Sequence, residues 1–299
     1  MVMTETSGIV LFAYNTPEIN YIKLAIIAAR YAKRAMPSKP VCLITDNSTW
    51  EYVKQTSIGA QATDAFDQVV LTDGNFKHNK RVHYDSPYTN FVTDFKNTNK
   101  HKVIDYTPYD RTLLIDIDYI MQNNQLEYCF DSDNSVLMFH EAEDLLGTPP
   151  AQPQQFLHEA GIPMIWSTVM YFDRNSDVAK TFFDLWAHIA DNYDFYRFLY
   201  GFPAGMYRTD FCVSIAQHIM NGMGPGDSIG AFPSTLINMS QRDDIVKINT
   251  ADDWVYLVND VIEHWENSLA RITRENVHVM NKRSLDRNYD AIMEKLDNE

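Results

Sequence analysis

Two aspartates, Asp116 and Asp118, lie one residue apart in the apolar segment 113–120 (LLIDIDYI). The alternation of side chains along a strand predicts that both carboxylates point to one face, roughly 7 Å apart. Two ionised carboxylates at this separation repel each other and lose hydration when buried. A divalent cation at the carboxyl end of the strand, where open α/β sheets bind ligands, would relieve both effects. The residues alone leave a second interpretation open, in which the acids end a solvent-facing strand beside Arg111.

The elements that would position this pair alternate between strand and helix patterns. Apolar runs at 8–14, 40–46 and 68–73 predict buried strands. Between the first two, residues 15–18 supply a capping side chain, a proline and an acid, which predict the start of an amphipathic helix. Four further segments continue the pattern, namely strands at 112–121 and 164–172 and helices at 176–199 and 209–220. This order predicts an α/β fold with a mostly parallel central sheet and helices on both faces.

Composition excludes several classes of protein. The chain has 299 residues, 45% of them hydrophobic, and a net charge of −15, which argues against a uniformly basic nucleic-acid-binding protein but not against a local basic groove. No apolar run approaches the ~18 residues of a membrane helix, and residues 1–7 do not resemble a signal peptide. The three cysteines are dispersed and form no CxxC pair, as is typical of reduced core thiols. We therefore expect a cytoplasmic protein without a membrane partner.

The segment 109–120 (YDRTLLIDIDYI) resembles the Asp-x-Asp segment of nucleotide-sugar glycosyltransferases with the GT-A fold. The resemblance is closest to the glycogenin-like family, glycosyltransferase family 8. The overall composition of the chain is similar to that of enzymes carried by large tailed phages. The matching segments are short and separated, but they occur in the family's order over most of the chain. The resemblance implies one GT-A domain over 1–299, with a nucleotide-binding half at 1–121 and an acceptor half with a closing C-terminal segment at 122–299. It also implies that the Asp-x-Asp lies at a strand end.

The resemblance assigns expected roles to individual residues. Asp116, Asp118 and His278 match the family's metal ligands, and Asp210 matches an aspartate near its acceptor side. Phe211 and the segment 166–168 depart from the family's pattern, and the family's closing His…Lys motif is here shorter and lacks its glycine. The residues expected to bind the nucleotide-sugar donor are Ala13, Tyr14, Asn15, Lys100, Asp116, Ile117, Asp118 and Lys282.

These residue types suit the implied chemistry. Two carboxylates and an imidazole, together with phosphate oxygens, favour Mn²⁺ over Mg²⁺. The metal would stabilise the leaving nucleoside diphosphate, and Lys100 and Lys282 would add positive charge to the same group. The resemblance implies transfer of a sugar, with UDP as the expected nucleotide and with retention of anomeric configuration. No residue is identified as a nucleophile.

The acceptor is less constrained by the sequence. Two stretches, 77–111 and 271–287, are basic in an otherwise acidic chain, and the first contains aromatic side chains suited to stacking. Some similar phage enzymes glycosylate hydroxymethylated bases in DNA, so DNA is one candidate acceptor beside a small sugar, a lipid-linked sugar or a protein. If DNA is the acceptor, Lys77, Lys80 and Arg81 are expected to contact its phosphates.

Two other classes of protein remain open. A nucleotidyltransferase can use a similar sheet and paired carboxylates, but it normally has a glycine-rich loop after the first strand, where this chain has 13–17 (AYNTP). A non-catalytic nucleotide-sugar-binding protein is the other, because of the departures at 166–168 and 279–282. The glycine-rich loop 222–230 follows a predicted helix and contains a proline, so it predicts a turn rather than a phosphate loop.

Overall fold

A computed structural model describes residues 6–74, 79–157, 161–202, 207–260 and 266–299. Within them the strands are β1 Ser7–Phe12, β2 Val41–Asp46, β3 Gln68–Thr72, β4 Lys80–Tyr84, β5 Asn90–Asp94, β6 Arg111–Ile115, β7 Tyr119–Ile120, β8 Val136–Phe139, β9 Ala142–Asp144, β10 Trp166–Asp173, β11 Gly230–Ala231, β12 Leu236–Met239, β13 Asp244–Thr250, β14 Asp253–Asp260, β15 Glu266–Thr273 and β16 Val277–Val279.

The helices of the described residues are distributed along the whole length of the chain. They are α1 Tyr21–Ala35, α2 Asn47–Lys54, α3 Gly59–Ala65, α4 Val103–Tyr106, α5 Gln152–Gln155, α6 Asp177–Asp191, α7 Tyr193–Leu199, α8 Thr209–Met220, α9 Lys282–Arg287 and α10 Tyr289–Asn298. Two 3-10 helices cover Asn97–Lys102 and Glu127–Asp131.

The central sheet has seven strands in the order β11-β8-β10-β6-β1-β2-β3. Only β10 runs antiparallel to its neighbours, so the sheet is mostly parallel. This confirms the α/β class predicted from the strand–helix alternation. Strands from both 1–121 and 122–299 share this one sheet, and β6 lies near its middle with the Asp-x-Asp directly after it.

Alternating side chains of β1 enter two different hydrophobic cores. Ile9 and Leu11 pack in the core that includes α1, whereas Val10 and Phe12 pack in the core that includes α6 and α8. A strand with helices on both sides must be apolar at every position, which is why β1 is a continuous apolar run. Gly8 is needed in this strand because a Cβ there would lie 2.4 Å from the ring of Tyr109.

Three smaller sheets accompany the central sheet in the described residues. A four-stranded sheet has the order β7-β16-β12-β9, and the antiparallel hairpin β4–β5 forms a separate two-stranded sheet. Strands β13, β14 and β15 form an antiparallel meander. None of the helices in the described residues is long and apolar enough to span a bilayer.

Three element boundaries differ from the sequence prediction. The predicted strand 112–121 is interrupted at 116–118, so the two aspartates are not inside a strand. Helix α1 begins at Tyr21 with Asn20 as its N-cap, later than the proline pattern indicated. The predicted helix 176–199 is two helices, because the backbone of Asn192 leaves helical geometry between α6 and α7.

Candidate metal and nucleotide site

Asp116 and Asp118 lie in the turn that joins β6 to β7. The amide of Asp116 donates to the carbonyl oxygen of Thr168 (2.8 Å), and the amide of Tyr119 donates back to the carbonyl of Asp116 (3.0 Å). Thr168 lies where β10 shifts register against β8, between Trp166 and Met170. The contact to Thr168 continues the antiparallel pairing of β6 with β10 beyond Ile115↔Val169, and the turn closed by Tyr119 then ends the strand. Both carboxylates line one cavity.

Strand pairing brings His278 to this turn. β16 runs antiparallel to β7, so that His278 is opposite Tyr119, and the amide of Val279 donates to the carbonyl of Asp118 (2.7 Å). His278 Nε2 is then 3.5 Å from Asp118 Oδ1. One donor atom from each of Asp116, Asp118 and His278 fits within 4.8 Å of the other two. Residues 160 positions apart in the chain therefore converge as the sequence resemblance implied.

Asn238 fixes the orientation of the histidine ring. It is paired with His278 in the parallel register of β12 and β16, and its Oδ1 is 2.8 Å from His278 Nδ1. Since an amide oxygen only accepts, Nδ1 is the donor in this contact, and Nε2 is the ring nitrogen that faces Asp118. Metal-binding histidines commonly donate their other ring N–H in this way.

Two lysines neutralise the aspartates from opposite sides. Lys100, in the 3-10 helix Asn97–Lys102, donates to Asp116 Oδ1 (2.7 Å) and to the carbonyl of Ser167 (2.5 Å). Lys282, the first residue of α9, donates to Asp118 Oδ2 (2.5 Å). Each carboxylate keeps its second oxygen free of these lysine contacts. The lysines thus act as internal counterions beside the point where a cation would bind.

Burial and charge act in opposite directions on the Asp118–Lys282 pair. Burial alone would raise the pKa of Asp118, but the charges and hydrogen bonds of Lys282 and His278 together outweigh it and the pKa is lowered. Burial likewise disfavours the charged form of Lys282, yet the carboxylate of Asp118 raises its pKa above the usual value. Both groups are therefore ionised at neutral pH, and Asp118 is in the form that a metal needs.

Asp210 reaches the same cavity from the first turn of α8. Its Oδ1 accepts from the amide (3.0 Å) and hydroxyl (2.7 Å) of Ser167, and its Oδ2 accepts from Arg208 (3.2 Å). Burial would raise its pKa, but Arg208 and Ser167 outweigh that effect and lower it. Ser167 also accepts from Lys100, so one serine links Asp210 to the Asp116 side of the site.

The cavity between these elements has a volume of about 370 Å³. Five lysine and arginine side chains line it against three aspartates, which makes it positive in a chain of net charge −15. Aromatic rings line it as well. Its cations are Arg81, Lys96, Lys100, Arg208 and Lys282, and its rings are Phe12, Tyr14, Tyr21 and Phe95.

The structure brings most, but not all, of the predicted site residues into this cavity. Those that line it are Tyr14, Lys100, Asp116, Ile117, Asp118, Asp210, His278 and Lys282. Ala13 and Asn15 are not among the lining residues. The amide of Ala13 donates to Ile44 (3.1 Å), and Asn15 Oδ1 accepts from the amide of Ile22 in α1 (3.0 Å). These two residues hold the turn after β1 and the start of α1.

Sequence reasoning missed four groups that face or support the site. Asn238 had no local signal, because its role depends on pairing with a strand 40 residues away. His83 and Phe95 line the cavity from the β4–β5 region, which the sequence identified only as basic and aromatic. Lys96 also lines it and donates to the carbonyl of Asn15 (2.7 Å). The spacing of these residues matches no metal or nucleotide motif.

The donor set fits a divalent cation. It combines two ionised carboxylates with an imidazole nitrogen whose orientation is fixed by Asn238. A mixed oxygen and nitrogen set of this kind suits Mn²⁺ better than Mg²⁺, which prefers oxygen ligands. Asp116, Asp118 and His278 are therefore the residues that would hold the ion.

Comparisons with known proteins give only distant likenesses. No protein-family model and no curated protein matches the chain. Among solved structures it is similar to galactosyltransferase LgtC in complex with donor and acceptor sugar analogs (13% identity, TM-score 0.40, 70% of each chain). It is also similar to glycosyltransferase GlyE of Streptococcus pneumoniae TIGR4 (12%, TM-score 0.44, 77% of this chain and 45% of GlyE). A putative glucose-1-phosphate thymidylyltransferase from Bacillus anthracis matches at 12% and TM-score 0.38, over 75% of this chain and 99% of its own. Likenesses this distant carry no argument about function.

Replacing Asn238 should weaken metal binding without removing a ligand. In Asn238→Leu the ring of His278 loses its acceptor, so we expect Mn²⁺ affinity to fall by roughly 10-fold or more, as for other residues that orient ligands. His278→Ala should lose at least as much. Asn238→Asp keeps an acceptor oxygen at the same position and should retain most of the affinity. Manganese titration followed by electron paramagnetic resonance would measure all three. Equal affinities in Asn238→Leu and the parent protein would contradict the role given to Asn238.

Proposed function

We propose that this protein is a metal-dependent glycosyltransferase that uses a nucleoside diphosphate sugar, with UDP as the expected nucleotide. The observation that carries the proposal is the convergence of Asp116, Asp118 and His278 in a positively charged, aromatic-lined cavity at the carboxyl end of a mostly parallel sheet. The cation-binding residues, the positive charge and the aromatic rings correspond to the metal, the diphosphate and the base of such a donor.

Different residues of the cavity would contact different parts of the donor. Tyr14 and Phe12, at the end of β1, offer rings to the nucleoside. Lys100 and Lys282 would exchange part of their contact with the aspartates for the oxygens of the diphosphate. The bound metal would supply Lewis-acid stabilisation of the nucleoside diphosphate as it leaves.

The sugar would lie between the diphosphate and Asp210. In the transfer, the bond from the anomeric carbon to the diphosphate breaks, and its electron pair leaves with the nucleoside diphosphate. A hydroxyl of the acceptor forms the new bond to the same carbon and releases its proton to solvent. Retention of anomeric configuration is part of the proposal. Asp210 would contact the sugar or the acceptor. This role is supported by its position in the lining of the same cavity and by Ser167, which donates to Asp210 and accepts from Lys100.

The proposal includes the extent and the relationship of the chain. We propose that 1–299 is one GT-A domain, in which 1–121 forms the nucleotide half and 122–299 the acceptor half. We also propose that the chain is related to the glycogenin-like family and is an enzyme of the kind carried by tailed phages. The shared seven-stranded sheet supports the single domain. Such an enzyme would act in the cytoplasm of the cell in which it is made.

Product analysis separates the proposal from its alternatives. Incubation with a UDP-sugar and Mn²⁺ should release UDP, faster with a suitable acceptor than by hydrolysis alone. A nucleotidyltransferase would instead form a nucleotide sugar and pyrophosphate from a sugar phosphate and a nucleoside triphosphate. A non-catalytic binding protein would bind the donor and form neither product. Pyrophosphate release, or donor binding with no turnover across a broad acceptor panel, would contradict the proposed activity.

For the acceptor, we make the narrower proposal that it is DNA. Several arginines of the stretch 271–287 are already paired with acids, which reduces the basic surface that DNA could use. Arg271 pairs with Asp253 (2.5 Å), and Arg287 pairs with Asp85 and with Asp244 (3.0 Å). In the stretch 77–111, Lys80 is exposed and Arg81 lines the cavity, while Lys77 lies outside the described residues. The proposal therefore depends on the first stretch.

Neutralising this stretch tests the DNA proposal. If a hydroxymethylated base in DNA is the acceptor, Lys77→Gln, Lys80→Gln and Arg81→Gln together should slow transfer to DNA and flatten its dependence on salt, because fewer counterions are released on binding. Arg271→Gln is a matched control, since Arg271 is neutralised by Asp253. Unchanged transfer and salt dependence in the triple variant would argue for a small acceptor.

A further inference from the structure

Strand β4 presents two polar side chains to the cavity. Arg81 and His83 are two residues apart, so they project from the same face of the strand, and both line the cavity that contains the aspartates. Their strand pairs only with β5, through the register Arg81↔Thr93 and His83↔Phe91. The hairpin thus adds a wall to the cavity that the central sheet does not supply.

Arg81 differs from Lys100, Lys282 and Arg208 in having no carboxylate at ion-pair distance among the described residues. Lys100, Lys282 and Arg208 are each paired with an aspartate. The guanidinium of Arg81 instead lies 3.9 Å from the centre of the Phe95 ring and makes a long contact to the carbonyl of Tyr207 (3.5 Å). A guanidinium has five N–H donors, so most of them are available to a ligand.

His83 provides a second, independent observation that points to a ligand at this position. Its side chain is 2% exposed and stacks on Phe91 at 5.6 Å, yet its Nε2 has no hydrogen-bond partner among the described residues. Burial, together with the charges of Lys282 and Arg81, lowers its pKa to about 3, so the ring is neutral. A buried polar atom without a partner is unfavourable, and a ligand polar group would remove that cost.

We propose that Arg81 and His83 form a subsite for an oxyanion carried by a sugar substrate, in addition to the donor diphosphate. The proposal rests on the glycosyltransferase function proposed above. Lys100 and Lys282, with a metal held by the aspartates, already account for the diphosphate, whereas Arg81 remains without an anionic partner. The guanidinium binds the carboxylate or phosphate oxygens, and the neutral imidazole exchanges a hydrogen bond with the same group or an adjacent hydroxyl.

The oxyanion has two sources that an experiment separates. It is either the carboxylate of a uronic acid in the donor or a phosphate on an acceptor sugar. Calorimetry with Mn²⁺ would compare UDP-glucuronate with UDP-glucose, and then glucose 6-phosphate with glucose in the presence of UDP. We expect at least one charged probe to bind about tenfold or more tighter than its neutral counterpart, which is the range of a charge-assisted hydrogen bond.

Variants of cavity residues test whether the preference for the charged probe arises at Arg81 and His83. Arg81→Met should remove the preference for the charged probe, and Arg81→Lys should keep part of it. Lys96→Met, at the Asn15 side of the cavity, should leave the ratio of the two affinities unchanged. Equal affinity of charged and neutral probes in the parent protein, in both arms, would overturn the subsite. Failure of UDP itself to bind would instead overturn the proposed function.

Discussion

Asp118→Asn is expected to reduce metal-dependent transfer by at least about a thousandfold, which corresponds to several kcal/mol of lost transition-state stabilisation. Asp118 contributes one of the three ligands and faces His278 Nε2. An amide in its place is a neutral and much weaker ligand, so Mn²⁺ affinity should fall with turnover. Steady-state rates over a range of Mn²⁺ concentrations, with manganese binding measured separately, would check both effects.

The same substitution leaves Lys282 buried without its carboxylate, so stability must be separated from function. Loss of one partner of a buried pair is expected to lower the free energy of unfolding by about 3 kcal/mol. The double variant Asp118→Asn/Lys282→Met should recover much of this loss but not the metal affinity. Asp116→Asn offers a further check, because Asp116 is 29% exposed and its loss disturbs the interior less. Near-parent turnover in a folded Asp118→Asn protein would remove Asp118 from the metal site.

Asp210→Asn is expected to lower kcat by roughly 100-fold or more while leaving the affinities for nucleotide and Mn²⁺ within about threefold. The carboxylate is held by Ser167 and Arg208 and is not among the residues that would hold the metal. The asparagine keeps an oxygen for Ser167 but loses the negative charge opposite Arg208. Separate measurement of kcat, KM and nucleotide affinity would test this division.

Ser167→Ala is the matched control for Asp210. It removes the hydroxyl that Asp210 accepts but leaves the amide of Ser167 and the carboxylate itself, so a loss of about tenfold is expected. If Asp210→Asn weakens nucleotide binding as strongly as it lowers kcat, Asp210 supports the shape of the cavity rather than the transfer step.

Local patterns in the sequence were sufficient to predict much of the sheet and its main helices. The apolar runs at 8–14, 40–46 and 68–73 overlap β1, β2 and β3, and the helix predicted at 209–220 coincides with α8. Strands β1 and β2 and helix α8 are largely buried, so their pattern is set by the same burial that stabilises them. The prediction of a buried strand at 68–73 was wrong in its burial, because β3 is the edge strand of the sheet and its residues are half-buried or exposed. The start of α1 was misplaced because Asn15 caps it from outside the helix, while Asn20 acts as the N-cap.

The site shows where local patterns stop being informative. The alternating residues of LLIDIDYI are typical of a continuous strand, but the chain turns at 116–118, where the amide of Tyr119 donates to the carbonyl of Asp116. The segment after the turn pairs with β16, which carries His278, and no local pattern encodes that pairing. The family resemblance singled out Lys100, His278 and Lys282, and all three line the cavity. Asn238 and His83 were missed because their importance depends on strand pairing and burial, which appear only in the folded chain.

The central claim is that the cavity binds a nucleoside diphosphate together with a divalent cation held by Asp116, Asp118 and His278. It is tested most directly by a thermal-shift panel of uridine, guanosine, adenosine and thymidine diphosphates, each with and without Mn²⁺. Ligands that bind the native state raise the unfolding midpoint by mass action. We expect a large increase of the unfolding midpoint with one nucleotide, UDP. This increase should require Mn²⁺ and should be lost in Asp118→Asn. No shift with any of the four nucleotides, in the presence of Mn²⁺, would contradict it.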